Sequence, residues 1–532
     1  MSGVGKGVTS ASIANVLQSR GFKVTSIKID PYVNVDAGTM NPTEHGEVFV
    51  LDDGLECDQD MGNYERFLNK DIPGANYMTT GSIYQSIISK ERSLGYKGKC
   101  VSVVPDVPLE IIEKINKAVK KNEAEIAIIE IGGTVGEYQN ILFLEAVRIL
   151  KIENFNDTLL VLVSYLPHIG QDSEPKTKPT QHAARTLNSA GLQPDIIVAR
   201  STEAIDEKRK EKIAFNCNVR PEDIISAPRV ENIYEIPLNF EKNNISEIIC
   251  RKLKIKPRKK DFKEWKKLID KIEKAKEEVK IGIAGKYFST GDFILSDSYL
   301  SVIEAIKHSA YFHGRKPIIE WLNVEEFEKA ENLPKLSQYD GIIIPGGFGN
   351  RGVEGKIAAI KYCRENKIPF LGICYGMQLM VVEFARHIAG LKEAHTTEVN
   401  PKTPYKVIDI LPEQKEKMAQ KNYGGSMRLG AYDANIKKGT IAYSAYKKEK
   451  ISERHRHRYE VNPDFIQKLE EKGIVFSGQS GNKRLMEIAE LSKSVHPFFV
   501  GAQFHPEFKS RPLDPHPLFL KFIEVAMKKK AK

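Results

Sequence analysis

Ile368-Pro-Phe-Leu-Gly-Ile-Cys-Tyr-Gly-Met-Gln-Leu379 is the stretch on which the fold turns. Its first six residues form an apolar run of strand length, and residues 377–388 carry apolar side chains at helical spacing. Between the two, Gly372 and Gly376 flank Cys374, which permits a sharp strand-to-helix turn that exposes one side chain at the tip of a sheet. The spacing predicts an α/β fold with its reactive group at a strand's C-terminal end. A second buried strand, Gly341-Ile-Ile-Ile344, runs into another glycine-rich turn, Pro345-Gly-Gly-Phe-Gly349.

A thiol attacks a carbonyl carbon as thiolate, so Cys374 needs an imidazole, and the imidazole needs a third group to fix its orientation. Gln503-Phe-His-Pro-Glu507 offers both, in His505 and Glu507. Backbone N–H groups at the start of the following helix and in the Pro345–Gly349 turn would face a developing oxyanion. A lone Gly-x-Cys-x-Gly is more often a buried small hydrophobe; the two accompanying motifs shift the reading to catalysis. Together they make residues 281–532 resemble the class I glutamine amidotransferase family. The resemblance implies Cys374, His505 and Glu507 as catalytic residues, with Gly347 and Tyr375 as oxyanion donors. It also implies that Phe348, Gln378, Glu398 and Arg458 line the glutamine pocket. In Glu453-Arg-His-Arg-His-Arg-Tyr459, His455 and His457 alternate onto one strand face, but no third soft metal ligand lies close in sequence. The family motif implies substrate positioning instead, with Arg458 on the glutamine carboxylate.

The first half opens with Ser2-Gly-Val-Gly-Lys-Gly-Val-Thr-Ser10, a glycine-rich turn leading into a helical stretch at 11–20. Such glycines let backbone N–H groups close round phosphate oxygens, while a helix N-terminus and a lysine add positive charge. A phosphate loop normally follows a buried strand, and this sequence begins inside the turn, so phosphate binding and a flexible glycine-rich segment both stay open here. Phe22-Lys-Val-Thr-Ser-Ile-Lys-Ile-Asp30 and Ala124-Glu-Ile-Ala-Ile-Ile-Glu130 read as strands. Carboxylates at strand ends beside a phosphate loop are where a nucleotide-bound Mg²⁺ is held. Glu130 and the acidic run Asp52-Asp-Gly-Leu-Glu-Cys-Asp-Gln-Asp60 offer them; the run is no EF-hand, because its glycine and terminal glutamate are misplaced.

Five longer motifs extend the comparison: Lys28-Ile-Asp-Pro-Tyr-Val-Asn-Val-Asp36, His45-Gly-Glu-Val-Phe-Val50, Tyr64-Glu-Arg-Phe67, Glu130-Ile-Gly-Gly-Thr-Val-Gly136 and Lys176-Thr-Lys-Pro-Thr-Gln-His182. They make residues 1 to 250 similar to the synthetase domain of the CTP synthase family. The resemblance implies amination of UTP to CTP through a phosphorylated UTP intermediate, using ATP, Mg²⁺ and ammonia from glutamine, with no organic prosthetic group. GTP is implied as activator, CTP as product and feedback inhibitor, and a homotetramer as the assembly. By the same resemblance Gly3, Val4, Gly5, Lys6, Gly7, Lys28 and Asp60 bind ATP, and Asp60 and Glu130 hold the metal. Ser2, Glu137, Gln139, Lys176, Lys178, Gln181 and Lys212 are implied for UTP or CTP. Ammonia is implied to pass near Pro42, His45 and Val48, and Arg351-Gly-Val-Glu354 resembles the family's lid and GTP-responsive region. Asp106 and Gln139 depart from the family's usual histidine and glutamate, which implies altered CTP feedback.

Composition sets the remaining bounds. At 532 residues with 41% hydrophobic content, the chain is long enough for two or more cored domains. The expected division is a P-loop, doubly wound α/β synthetase domain at 1–250, a linker helix at 251–280 and an α/β glutaminase domain at 281–532. The linker carries fourteen Lys/Arg against six Asp/Glu, with Trp265, Leu268, Ile269 and Ile272 at helical spacing. It accounts for much of the net charge of +10, and no RNA-binding aromatic motif or zinc knuckle accompanies it, so no nucleic-acid partner is expected. The six cysteines lack zinc-site spacing and secreted-scaffold density, which suggests a reducing cytoplasm. No apolar run has transmembrane length. Competing readings are another triad amidotransferase, a non-catalytic nucleotide-binding scaffold or filament subunit, and a plain glutaminase feeding a separate partner.

Overall fold

The structure, a computed structural model, describes residues 3–170, 174–285, 289–290, 293–294, 296–410, 427–481 and 483–529. Its backbone packs as two units: Met1–Asp36 with Asn63–Ile269, and Ala37–Gly62 with Asp270–Lys532.

In the first unit the glycine-rich turn leads into the helix Lys6–Gln18, which Gly5 starts in the left-handed region at φ +87°. The strand Val24–Asp30 pairs in parallel with Tyr77–Thr79 on one side and Ile126–Ile131 on the other. All seven of its residues are buried, as expected of a parallel strand covered on both faces. Ile27 and Ile29 pack with Ile111 and Ile115 of the helix Val103–Lys121 and Phe143 of the helix Ile141–Glu153. A second parallel ladder joins Val161–Tyr165, Ile196–Ser201 and Ile224–Pro228. The amphipathic stretch beyond residue 250 forms the helix Lys263–Lys274, with Trp265, Leu268 and Ile269 buried.

The second unit is built on a nine-stranded sheet ordered Lys316–Asn323, Glu278–Gly285, Gly341–Ile344, Phe370–Ile373, Phe499–Ala502, Met486–Leu491, Ile474–Ser480, Arg428–Ile436 and Lys450–His457. The first five run parallel and the rest antiparallel. Alternate residues feed opposite cores: Ile342, Ile344 and Phe370 enter one, Ile343, Leu371 and Ile373 the other. That is the period-2 consequence of a pleated strand buried on both sides. Onto this unit packs a hairpin from early in the chain, Val48–Val50 paired antiparallel with Glu56–Asp58. The Ala431 N–H donates to the Asp52 carbonyl at 2.9 Å. Gly430, at φ +91°, has no room for a side chain, since a Cβ would lie 2.7 Å from that same oxygen.

Trp265 anchors the helix Lys263–Lys274: its indole packs against Phe67 and Tyr234, and its Nε1–H donates to the Tyr234 carbonyl at 2.7 Å. Trp265→Ala is expected to cost about 3–5 kcal/mol, read as a lower thermal midpoint for the first unit by calorimetry.

Candidate active site

Three neighbouring parallel strands, Gly341–Ile344, Phe370–Ile373 and Phe499–Ala502, end on one side of the sheet. Their C-terminal ends carry the Pro345–Gly349 turn, Cys374 and the run to His505. Cys374 occupies φ 50°, ψ −100° as the residue before the helix Tyr375–His387, a strained conformation for a residue with a Cβ. Its neighbours make the turn sterically feasible. A Cβ on Gly372 would lie 2.7 Å from the Gly376 carbonyl carbon, and one on Gly376 only 2.2 Å from the Ile344 oxygen. The Cys374 N–H donates to the Ala502 carbonyl at 2.6 Å, and its thiol donates to the Arg456 carbonyl at 3.7 Å.

His505 places Nδ1 2.7 Å from Glu507 Oε1, and its ring stacks on Phe508 with centroids 5.0 Å apart and planes 11° from parallel. Its N–H donates to the Arg454 carbonyl at 2.8 Å. A Cβ on Gly346 would lie 2.8 Å from the His505 ring, so the turn and the imidazole approach closely. Burial pulls the imidazole pKa down, but the adjacent Glu507 and Cys374 outweigh it and hold it at about 10. Glu507 and the Cys374 sulfur thus favour the protonated imidazole over the neutral one.

Several of the residues expected around glutamine lie close to this turn and helix. A Cβ on Gly347 would lie 3.9 Å from the Tyr375 ring, and the Tyr375 hydroxyl donates to the Gly349 carbonyl at 2.9 Å. Glu398 accepts the Gly349 N–H at 2.8 Å. Gln378 is buried and donates to the carbonyl of Tyr459, next to Arg458, at 3.0 Å. Phe348 is half exposed at 53%. In the lid-like stretch, Arg351 pairs with Glu325 at 2.5 Å and Glu354 with Arg386 at 2.8 Å.

In the first unit, Lys28 stands opposite Glu130 across paired strands, with Nζ 3.1 Å from Glu130 and 3.4 Å from Asp30. The Tyr64 hydroxyl also donates to Glu130. All four side chains are buried. Gly3, Val4, Gly5, Lys6 and Gly7 form the turn and first helical residues. Glu137 accepts the Thr134 N–H at 2.9 Å; that bond, with Lys6 contributing, holds its carboxyl below the ordinary range. Gln139 lies exposed in the 3₁₀ turn Tyr138–Asn140. Lys178 opens the helix Lys178–Ser189, where Gln181 is buried with its Oε1 unsatisfied. Lys176 lies 3.6 Å from Glu174, and Lys212 adds positive charge to that carboxylate's surroundings. Asp60 begins the helix Asp60–Leu68 and belongs to the second unit; Ser2 lies outside the described residues.

Comparison with known proteins covers both halves. The family described as CTP synthase N-terminus matches residues 1–255, and that described as glutamine amidotransferase class-I matches 294–525. The CTP synthase of Pyrococcus furiosus is 50% identical over 528 residues, spanning 99% of this chain and 96% of its own. That of Thermococcus gammatolerans is 49% identical over 532 residues, spanning 100% and 97%. The chain belongs to the CTP synthase family. It is accordingly a glutamine-hydrolysing ligase of pyrimidine biosynthesis, in a family that uses UTP, ATP and glutamine. The solved glutaminase domain of Trypanosoma brucei CTPS with bound acivicin aligns over 47% of this chain and 94% of its own at 37% identity, with a TM-score of 0.43. No helix among the described residues is long and apolar enough to cross a membrane.

For this CTP synthase family member the fold adds residues that sequence reasoning missed. Gln503 Nε2 lies 3.7 Å from the Cys374 sulfur; the residue sat inside a quoted motif without a role. Lys356, buried, holds its ammonium 5.0 Å over the Tyr375 ring beside Gly347. Arg200 lies against Gly5 of the glycine-rich turn, its guanidinium 3.5 Å from where a Cβ would stand. No local signal marks either of these two. His455 and His457 are buried with ring nitrogens 3.0 Å apart, and burial first, then Arg428, pushes both well below the ordinary histidine range. Burial and the neighbouring Arg428 thus favour the neutral form of both rings.

Two outcomes are expected. Gly376→Ala should drive the helix off the Ile344 carbonyl and lower glutamine hydrolysis by about 100-fold, measured as glutamate release. The raised His505 pKa contributes stability that is fully present below about pH 6.5 and lost as pH climbs through 10. The gap in melting temperature between the parent and His505→Gln should therefore narrow over that window.

Proposed function

We propose that the chain makes CTP at two chemical sites, a glutaminase at Cys374 and an ATP-dependent amination site in the first unit, with division at 1–250, 251–280 and 281–532. The observation that carries the first is the convergence of Cys374, the Glu507-bound His505 and the Pro345–Gly349 turn at three adjacent strand ends. The Cys374 thiolate attacks the glutamine amide carbon, with Gly347 and Tyr375 N–H groups on the oxyanion. His505 donates its proton to the departing ammonia, and then takes one from the water that hydrolyses the thioester to glutamate. Gln378, Glu398 and Arg458 hold the amino-acid end of glutamine, and Phe348 covers it.

The C4 oxygen of UTP is a poor leaving group. Transfer of a phosphoryl group from ATP to that oxygen lets ammonia add at C4 and phosphate depart. Lys6 and Lys28 oppose the charge on the transferring group, and the turn from Gly3 to Gly7 cradles the ATP phosphates. Lys176, Lys178, Gln181 and Lys212 bind the UTP phosphates, with Ser2, Glu137 and Gln139 completing the pyrimidine nucleotide site. Pro42, His45 and Val48 lie on the route of ammonia.

A nucleotide-bound Mg²⁺ needs only one or two protein carboxylates, with phosphate and water supplying the rest. Glu130 fits that need: it stands with Asp30 about a single lysine, an all-oxygen set with excess negative charge. Glu130 and Asp60 would hold the ion, which supplies charge neutralisation on the phosphates. GTP acts at the Arg351–Glu354 stretch, CTP inhibits at the UTP site, and the working form is a cytoplasmic homotetramer.

Cys374→Ala should abolish glutamine-dependent CTP formation and spare synthesis from added ammonium; loss of both would overturn the two-site assignment. Glu130→Gln and Asp60→Asn should each eliminate synthesis from either nitrogen source, followed by the absorbance change of UTP conversion. Full activity in either variant would refute its place at the metal.

A further inference from the structure

The strand Lys450–His457 meets the catalytic residues with its backbone and the Ala37–Gly62 segment with its side chains. The Arg454 carbonyl accepts the His505 N–H at 2.8 Å. The same residue's guanidinium, fully buried, pairs with Asp52, donates to the Val50 carbonyl at 3.2 Å and lies over the Phe49 ring. Two residues on, the Arg456 carbonyl accepts the Cys374 thiol, while its side chain donates to Glu56 at 2.7 Å and reaches the Gly38 carbonyl at 3.5 Å. Alternate positions of a strand share a face, so Arg454 and Arg456 both reach the same hairpin. A second line of contact runs through rings: Phe49, 1% exposed, meets Phe508 edge-on at 4.9 Å, and Phe508 stacks on His505. The segment is fastened at its other end by Glu47, whose carboxylate accepts the Ser301 N–H at 3.1 Å in the first turn of the helix Leu300–Phe312.

We infer that the Ala37–Gly62 segment is a positioning element of the glutaminase site: Phe49, acting through Phe508, and Asp52 and Glu56, acting through Arg454 and Arg456, set the orientation of His505 and Cys374. The inference rests on the catalytic reading of those two residues. The contacts of Phe49 and Asp52 run to Phe508 and Arg454, so their effect falls on the alignment of nucleophile and base, and therefore on turnover more than on binding. A displacement of about 1 Å at a catalytic group can cost on the order of 100-fold in rate.

The test uses the full chain, with Phe49→Leu, which keeps apolar volume but removes the ring, and Asp52→Asn, which removes the charge shared by Arg454 and Lys509. Each is expected to lower kcat for glutamine hydrolysis about tenfold or more, leave KM for glutamine within about twofold, and shift the pH dependence of Cys374 alkylation by a haloacetamide. Phe49→Tyr, which restores the ring, should recover the parent pH profile. Parent kcat and pH profile in both variants would overturn the inference. So would a kcat loss that Phe49→Tyr does not repair, because that marks a role in packing alone. His505→Ala distinguishes the two readings: if it hydrolyses glutamine like the parent, the catalytic assignment itself has failed.

Discussion

The contact between the Gly376 backbone and the Ile344 carbonyl, which leaves 2.2 Å for an absent Cβ, constrains everything around the thiol. It lets the helix Tyr375–His387 descend directly onto the neighbouring strand, and Cys374 absorbs the resulting bend at a positive φ. Packing holds that strain in place: the strands on either side are wholly buried and the Cys374 N–H is bonded to Ala502. A helix set even one methyl group further out would carry its first-turn N–H groups away from the sulfur. The Tyr375 hydroxyl bond to Gly349 would be lost with it.

Electrostatics then act on this fixed frame. Glu507 alone would hold His505 in a productive tautomer, but burial would discharge the ring; together with the thiol it keeps the imidazolium charged in an enclosed site. The neighbouring interior is arranged the other way. Arg428, paired with Glu487 and Glu460, helps to keep His455 and His457 neutral.

Local pattern carried much of this. The strand Gly341–Ile344 stands where the sequence places it, and the helix Lys263–Lys274 buries three of the four expected apolar residues. Differences have local causes. The expected strand at 368–373 begins at Phe370, because Pro369 has no N–H for the ladder. The first helix starts at Lys6 instead of residue 11, since Gly5 supplies the left-handed turn that opens it. The glycines around Cys374 were legible from the strand-to-helix turn they flank, although the oxygen that Gly376 clears belongs to Ile344 on the neighbouring strand. Lys356, Arg200 and the arginine pair on Lys450–His457 were not, for their partners lie tens to hundreds of residues away and no periodicity encodes such meetings. In the acidic run at 52–60, Asp52 and Glu56 meet arginines of the second unit's sheet, while Asp60, the carboxylate expected at the metal, opens the helix Asp60–Leu68.

The hairpin also bears on how such a protein can be divided. The chain passes between its two packing units three times, at 36–37, 62–63 and 269–270. No single scission releases the glutaminase intact: a cut in the helix Lys263–Lys274 leaves Phe49, Asp52 and Glu56 covalently with the other half, and strips Arg454 and Arg456 of their counter-charges. A fusion joint between an ammonia producer and its consumer would ordinarily be easy to undo. Here the interleaved segment sets the cost of that cut: the strand beside the thiol keeps its two arginines but loses carboxylates that neutralise them.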